Sequence, residues 1–183
     1  MRAEKYLIMS TIFLFQWASA LHAGELRFSD YSVTMTSGPF ANQILLTKKQ
    51  KTYSEKWQKI MSKELGEPVN FAGHYRLYLS WGGEFPDECG SERWVCGWIV
   101  DKITGEIIST LPEFNGNTAY FTYSDNGTPS PDKFQPIFHP NSSMLWMEGT
   151  NLPAKKGGSE KCGIAIYNFR NNQFTPLFKG ECN

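Results

Sequence analysis

The sequence predicts an α+β fold in which a mainly antiparallel β-sheet of about eight strands is joined by one N-terminal amphipathic helix and two disulfides. Three observations lead to this prediction. Beyond residue 70, polar and apolar residues alternate with the period of half-buried strands. One earlier segment has the period of a helix. The chain also carries an even number of cysteines, four in all.

The composition limits the classes of function. The chain has 183 residues, of which 40% are apolar, and its 18 basic residues are balanced by 18 acidic ones. This apolar fraction is sufficient for a hydrophobic core, which excludes a disordered chain. The lack of net positive charge argues against a nucleic-acid partner, because phosphate binding depends on an excess of basic side chains. We therefore expect one compact domain that does not bind nucleic acid.

The beginning of the chain has the pattern of an export signal. Arg2 and Lys5 precede a largely apolar stretch, residues 6–17, and Ala18-Ser19-Ala20 supplies the small residues that signal peptidase requires. We predict cleavage after Ala20, with a cut after Ala23 as the alternative.

The export signal sets the expected location and domain boundaries. Residues 1–20 are predicted to be a signal peptide, and residues 21–183 a single disulfide-stapled α+β domain that is periplasmic or secreted. The apolar stretch is too short to cross a hydrocarbon core of about 30 Å comfortably. We therefore expect no membrane insertion after cleavage.

The cysteines of an exported domain are expected to form two disulfides, for which three pairings can be drawn. Asn171-Asn172 is typical of a tight hairpin turn between residues 164–169 and 173–178. Counting outward from this turn places Cys162 opposite the region of Glu181 and Cys182, which leaves Cys89 and Cys96 to close a short loop. The predicted pairs are Cys162 with Cys182 and Cys89 with Cys96. A zinc site or a catalytic thiol is the alternative, but the spacing lacks the paired C-x-x-C of structural zinc.

The predicted helix follows residue 52. Thr52 and Glu55 fit a capping box, and Gly66 with Pro68 provides a stop signal. One face is apolar and carries Trp57, Ile60, Met61 and Leu65, whereas the opposite face carries Lys56, Lys59 and Lys63. We expect this helix to pack on a sheet.

Most of the remaining chain is predicted to be β-structure. Residues 75–81 alternate strictly, and residues 93–101 are apolar on both faces, which indicates a central strand. Residues 101–105 are typical of a hairpin connection, with Gly105 at a positive φ. Further strands are expected over residues 25–35, 44–46, 106–111, 119–123, 134–138 and 144–148, followed by the C-terminal hairpin.

The loop between residues 81 and 94 is acidic and is the first candidate binding site. A disulfide between Cys89 and Cys96 would hold it rigid, and a rigid loop loses less entropy on association. The predicted partner-binding residues are Glu84, Phe85, Asp87, Glu88, Glu92 and Trp94. The alternatives are an ordinary solvated surface and a calcium site, although the spacing matches no EF-hand. We expect neither a metal nor another cofactor.

His74 is the candidate catalytic residue. It lies beside Gly73 at the start of a predicted strand. A role in acid–base chemistry requires a carboxylate or a nucleophile nearby, whereas strand alternation places Arg76 and Tyr78 on the same face. A histidine that hydrogen-bonds within the sheet is the favoured interpretation.

Tryptophan residues suggest a further alternative, a surface that stacks on sugar rings. The residues concerned are Trp81, Trp94, Trp98 and Trp146. Three of these four fall on the apolar side of their strands, so packing in the core is the favoured interpretation.

Two stretches resemble known sequences. Residues 70–75 (Asn-Phe-Ala-Gly-His-Tyr), Trp81-Gly82, a cysteine, and Asp101-x-x-Thr104-Gly105 resemble the central signature of small uncharacterised bacterial exported proteins. The resemblance implies export but no particular activity. In that signature Cys-Gly closely follows Trp-Gly, whereas here residues 83–88 intervene. Residues 138–146 are similar to one turn and strand of a β-propeller blade, but the pattern occurs once, which indicates an isolated turn and strand.

These observations together predict an exported binding protein that recognises a macromolecular partner, expected to be a protein of the cell envelope. An inhibitor or immunity protein that blocks an envelope enzyme fits this description. A small envelope hydrolase or glycan-active enzyme that uses His74 is the first alternative, and a glycan-binding module is the second.

Overall fold

The structure is a computed structural model, which describes residues 26–81, 83–90, 94–121, 133–151 and 161–182. In this part of the chain eight strands form two antiparallel four-stranded sheets, and one long helix packs on the first sheet. The predicted α+β class is confirmed. The predicted signal peptide and both of its cleavage positions lie outside the described residues.

The first sheet is built around β2, which pairs with the three other strands. Its strands are β1 (Tyr75–Ser80), β2 (Trp94–Asp101), β3 (Ile107–Ile108) and β4 (Tyr120–Phe121). The second sheet has the order β5-β6-β7-β8. Its strands are β5 (Gln135–Phe138), β6 (Met144–Asn151), β7 (Lys161–Arg170) and β8 (Gln173–Glu181). The helices are α1 (Glu55–Gly66) and the short α2 (Pro86–Cys89).

The two faces of β2 contribute to two separate clusters of buried side chains, which confirms the prediction of a central strand. Val95 and Ile99 lie in the cluster between the two sheets. Trp98 and Val100 point to the other face and pack in a cluster with α1. The predicted apolar face of α1 is therefore buried on the first sheet, with Trp57 fully buried.

The start of α1 differs from the prediction by two residues. Ser54, rather than Thr52, is the N-cap, and its hydroxyl oxygen accepts a hydrogen bond from the Trp57 backbone N–H at 3.2 Å. Thr52 belongs to the preceding 3₁₀ turn, where its hydroxyl donates to the Lys49 carbonyl. The capping box expected from Thr52 and Glu55 is therefore wrong, because a serine closer to the helix takes the capping position.

Two cations hold the C-terminal end of α1. Lys102 is 2% exposed, and its ammonium donates to the carbonyls of Leu65 and Glu67. Arg76 donates from Nε to the carboxylate of Glu64 at 2.6 Å. Carbonyls at this end of a helix have no partner within the helix, and its dipole favours positive charge there. Arg76 of β1 and Lys102 in the turn after β2 thus fix the position of α1.

Two predicted N-terminal strands are wrong. Within residues 25–35, Phe28–Tyr31 forms a 3₁₀ turn and only Ser32 makes a β-bridge. Residues 44–46 make a single bridge through Leu45. Both segments bond to loops of the domain instead of to a strand; for example, the Val33 N–H donates to the Asn141 carbonyl at 2.9 Å.

The C-terminal hairpin has the predicted turn. Asn171 and Asn172 have φ angles of 50° and 60°, as a tight hairpin turn requires. A β-bulge between Ile166 and Tyr167 shifts the register by one residue. The shift brings Cys162 opposite Cys182, and the two are bonded. The disulfide between Cys89 and Cys96 is also present, so both predicted pairings are confirmed.

Among the helices in the described ranges, none combines the length and apolar character needed to cross a bilayer.

Candidate functional site

The acidic loop, defined here as residues 83–90, follows β1 and leads toward β2, and contacts with the core hold it in place. Phe85 is 1% exposed, and its ring centroid lies 5.5 Å from that of Trp98. The loop continues as α2, whose last residue, Cys89, is bonded to Cys96 on β2. A buried aromatic ring and a disulfide therefore fix the loop near both of its ends.

Glu88 attaches the acidic loop to the beginning of α1. Its Oε1 accepts hydrogen bonds from the Ser54 backbone N–H at 2.8 Å and from the Ser54 hydroxyl at 2.6 Å. In a capping box this acceptor comes from the third residue of the helix itself. Here the third residue is Trp57, which has no carboxylate, and Glu88, 34 positions beyond Ser54, provides it instead.

The same contacts set the charge state of Glu88. Burial acts to raise the pKa of the carboxyl group, but the hydrogen bonds from Ser54, together with the positive charge of Lys56, outweigh burial and lower the pKa. Glu88 is therefore an anion at neutral pH, as its role at the positive end of the α1 dipole requires.

Glu84 also makes hydrogen bonds within the protein. Its carboxylate accepts a hydrogen bond from the Tyr78 hydroxyl on β1, and its backbone carbonyl accepts one from the Lys56 ammonium at 3.0 Å. Burial, with the adjacent Glu84 charge, raises the pKa of Tyr78, so this hydroxyl keeps its proton at neutral pH. Glu84 consequently links the acidic loop to both β1 and α1.

Asp87 has a different environment, because its side chain is exposed. It lies at the edge of a shallow depression of about 300 Å³ between the acidic loop and the segment that precedes α1. The lining residues are Thr52, Tyr53, Ser54, Asp87 and Glu88. The Tyr53 ring packs edge-on against buried Trp57, with 4.8 Å between centroids, which holds this wall in place.

The structure brings only part of the predicted binding set to this surface. Glu84, Asp87 and Glu88 share the acidic loop, but Phe85 was wrongly predicted to touch a partner, since its side chain belongs to the core. Trp94 is half-buried and packs against Phe121, with ring centroids 6.0 Å apart. Glu92 lies outside the described residues.

Residues 52–54 form the other wall of the depression and were not predicted to belong to a binding surface. A signal for Ser54 was present, since serine is a favoured N-cap and stands three residues before Trp57. No pattern in the neighbouring sequence indicated that the Glu88 carboxylate would accept hydrogen bonds from Ser54.

We compared the chain with protein-family models, with curated proteins and with solved structures. None matches. What can be said of function therefore comes from the geometry of the side chains. Within the described ranges, no group of three or more histidine, cysteine or carboxylate side chains is placed to hold a metal ion.

His74 lies near a carboxylate that the sequence analysis did not anticipate. Its Nε2 is 3.7 Å from Asp101 Oδ1, which is longer than a hydrogen bond. The same oxygen accepts hydrogen bonds from the backbone N–H groups of Ile103 at 2.8 Å and Thr104 at 3.2 Å. Asp101 therefore organises the turn between β2 and β3, and His74 packs its ring on Tyr75 beside that turn.

The four tryptophans singled out for sugar stacking do not share an environment. Trp98 is buried, and Trp94 and Trp146 are half-buried. Trp81 is 46% exposed and lies 6.3 Å, centroid to centroid, from the Phe134 ring. Among these four, Trp81 alone presents an exposed aromatic surface.

Proposed function

We propose that this protein is an exported binding protein that recognises a protein partner of the cell envelope through the acidic loop and the adjoining start of α1. The observation that carries the proposal is the combination of a fixed loop backbone with an exposed carboxylate. Phe85, Glu88 and the Cys89–Cys96 disulfide immobilise the loop, while Asp87 is exposed beside a depression. A loop ordered before association avoids the entropy loss of ordering it on binding.

The charge of this surface indicates the chemistry of the partner. Three carboxylates lie in a loop of eight residues, and Lys56 is the lysine that contacts it. Opposite potentials across an interface accelerate association and fix its orientation. The expected partner therefore presents a basic patch, with one side chain that enters the depression next to Asp87. An inhibitor or immunity protein of an envelope enzyme is the version of this function that we favour.

The two disulfides are compatible with an extracytoplasmic protein. They support the envelope as the place in which to search for the partner. The residues that carry the predicted export signal are not among those described.

Asp87 provides the test, because Glu84 and Glu88 also hold the fold together. A photo-crosslinking amino acid at position 87 should capture the partner in an envelope extract, whereas the same group at exposed position 106 should not. With the purified partner, Asp87→Lys is expected to weaken binding about tenfold or more, and more at low salt than at high salt. Glu106→Lys changes the net charge equally and is expected to leave the affinity within about twofold.

Two results would contradict the proposal. The first is a crosslinking pattern that is the same at positions 87 and 106. The second is an equal loss of affinity in Asp87→Lys and Glu106→Lys, which would mean that binding depends on overall charge and not on the acidic loop.

A small hydrolase or glycan-active enzyme is the second candidate, and the distance of 3.7 Å between His74 and Asp101 favours it. The two backbone hydrogen bonds already accepted by Asp101 weaken this candidate. Loss of turnover on cell-wall fragments in a folded His74→Ala variant would support it. A glycan-binding module centred on Trp81 would show itself by a change in tryptophan fluorescence when wall glycans are added.

A further inference from the structure

A second cavity lies far along the chain from the acidic loop, at the disulfide end of the C-terminal hairpin. It has a volume of about 310 Å³ and lies between residues 113–116 and the hairpin of β7 and β8. Cavities that bind small ligands start at about this size. The cavity shares no residue with the surface proposed above to bind a protein.

The cavity exists because the side chains of β7 become smaller toward its beginning. Phe169 and Tyr167 fill the core between the sheets, Ala165 follows, and the next position on the same face is Gly163. A Cβ added at Gly163 would lie 3.4 Å from the Gly180 carbonyl oxygen and 3.7 Å from the ring of Phe114. The space above Gly163 is therefore bounded by an aromatic ring and by backbone.

The opposite wall is held in place by three hydrogen bonds, one of them buried and two partly buried. Asn115 Nδ2 donates to the Asn151 carbonyl at 2.8 Å, and Asn151 Nδ2 donates to the Phe114 carbonyl at 2.7 Å. The Tyr167 hydroxyl donates to the carbonyl of Glu113. The hairpin wall is closed by the disulfide between Cys162 and Cys182. A ligand would thus meet a site whose backbone is already in place.

Two ion pairs line the rim of the cavity. Lys161 contacts Glu181 at 2.8 Å, and Lys179 contacts Glu113 at 3.1 Å. All four side chains are at least half exposed. Exposed ion pairs of this kind are weak because water competes for both charges. Charged groups of a ligand can therefore replace either partner at little cost.

These features favour one class of ligand. The rim carries two positive and two negative charges, so its net charge attracts neither simple anions nor simple cations. A molecule with an ammonium and a carboxylate a few ångströms apart can satisfy one charge of each pair. Phe114 is 3% exposed and lines the cavity, so the exposed part of its ring offers a small apolar contact between those two ends.

We propose that this cavity binds a short zwitterionic peptide, with its carboxylate beside Lys161 or Lys179, its ammonium beside Glu113 or Glu181, and its side chains over Phe114. The inference uses different residues from the proposed function and does not depend on it. A free dipeptide carries both charges a few ångströms apart, whereas one end of a longer peptide carries only one of them.

The test is a titration of the isotope-labelled, disulfide-bonded protein with the dipeptide Ala-Ala, followed by NMR. We expect saturable shifts of the amide signals of Gly116, Gly163 and Gly180, with a Kd of about 1 mM or lower. N-acetyl-Ala-Ala-amide has the same side chains without either charge and is expected to bind at least about tenfold more weakly. Binding should also weaken as the pH rises through about 8, where the peptide α-amino group loses its proton.

Matched variants separate the cavity from the rest of the surface. Lys179→Met combined with Glu113→Gln removes one rim pair and is expected to weaken binding about tenfold. Lys59→Met combined with Glu55→Gln removes another exposed pair, on α1, and should leave binding unchanged. Gly163→Ala adds a methyl group at ordinary contact distances, so it should fold and reduce binding by occupying the cavity.

Three outcomes would overturn the proposal: no saturable shift at these three glycines, equal binding of the capped and uncapped peptides, or undiminished binding in a folded rim or Gly163→Ala variant. Loss of protein-partner binding in Asp87→Lys with peptide binding intact would show that the two sites are independent. Retention of partner binding with no peptide binding would reject this inference alone.

Discussion

Replacement of Asn151 by alanine is expected to destabilise the fold by about 3 kcal/mol, because the buried Phe121 N–H loses its acceptor and the carbonyls of Phe114 and Ala119 each lose a hydrogen bond. Asn151 is fully buried at the end of β6. Its Nδ2 donates to the carbonyls of Phe114 at 2.7 Å and Ala119 at 3.4 Å, and its Oδ1 accepts from the Phe121 N–H at 2.7 Å. One side chain thus ties the second sheet to the loop and strand β4 of the first.

Urea unfolding followed by tryptophan fluorescence measures this effect, and a lower midpoint at unchanged slope indicates lost stability. Thr150→Ala is the matched control, since Thr150 neighbours Asn151 on β6 but points to the opposite face and is half-buried. We expect the control to change stability by about 0.5 kcal/mol or less. Equal midpoints for the two variants would show that Asn151 does not have this role.

Unfolding at alkaline pH is the second large effect that we expect, because burial raises the pKa of several tyrosines. These are Tyr75, Tyr78, Tyr120 and Tyr167. For Tyr75, burial with the nearby charge of Asp101 raises the pKa to about 12. Tyr120 is buried between the sheets, and its hydroxyl donates to the Pro112 carbonyl at 2.7 Å.

Proton linkage gives the direction in which stability changes with pH. Tyrosines of the unfolded chain ionise near pH 10, whereas those in the folded protein keep their protons. Their stabilising contribution is complete below pH 10 and is lost as the pH rises toward about 12. Tyr75 alone accounts for about 2 kcal/mol of this loss. Burial lowers the pKa of Lys102, so this residue makes the folded protein more stable as the pH rises toward 10.5. The gain from one lysine is smaller than the loss from several tyrosines.

The measurement is a pH titration that records circular dichroism and tyrosinate absorbance on the same sample. We expect the tyrosinate signal of these four tyrosines, half of the eight in the chain, to appear together with the loss of secondary structure, between pH 10 and about 12. Tyr75→Phe retains the ring and should reduce the stability loss over this range by about 2 kcal/mol. Ionisation centred at pH 10 with unchanged circular dichroism would contradict the assignment of these tyrosines.

Local patterns were sufficient to predict several elements of this fold. The two-sided apolar pattern of residues 93–101 indicated a central strand, because only a strand covered on both faces has such a composition. The Asn171-Asn172 turn indicated that Cys162 lies near Cys182, since hairpin register follows from the turn. The structure accommodates one bulge and still brings these cysteines together.

The candidate site could be predicted only in part, because its decisive contacts join distant residues. The hydrogen bonds from Ser54 to Glu88 span 34 positions, and no periodicity in a single sequence encodes such a pair. Phe85 stands in a polar loop, which suggested exposure, yet the gap between α1 and β2 accepts its ring. Lysine is seldom buried, so the sequence also did not indicate that Lys102 lies buried under α1.

The division into two sheets also lay beyond local patterns. Alternation shows which residues of a strand face a core, but it does not show which strands pair. The cavity at Gly163 depends on this division. Phe114 lies in the loop between β3 and β4 of the first sheet, and its ring faces β7 of the second sheet.

The claim on which the proposed function depends is that the chain is exported, cleaved and oxidised. Mass spectrometry of the protein purified from its native cells tests this most directly, with alkylation of free thiols before and after reduction. We expect an amino terminus at Leu21 or Gly24, no alkylated cysteine before reduction and four afterwards. An intact Met1 together with four thiols that react without reduction would contradict it.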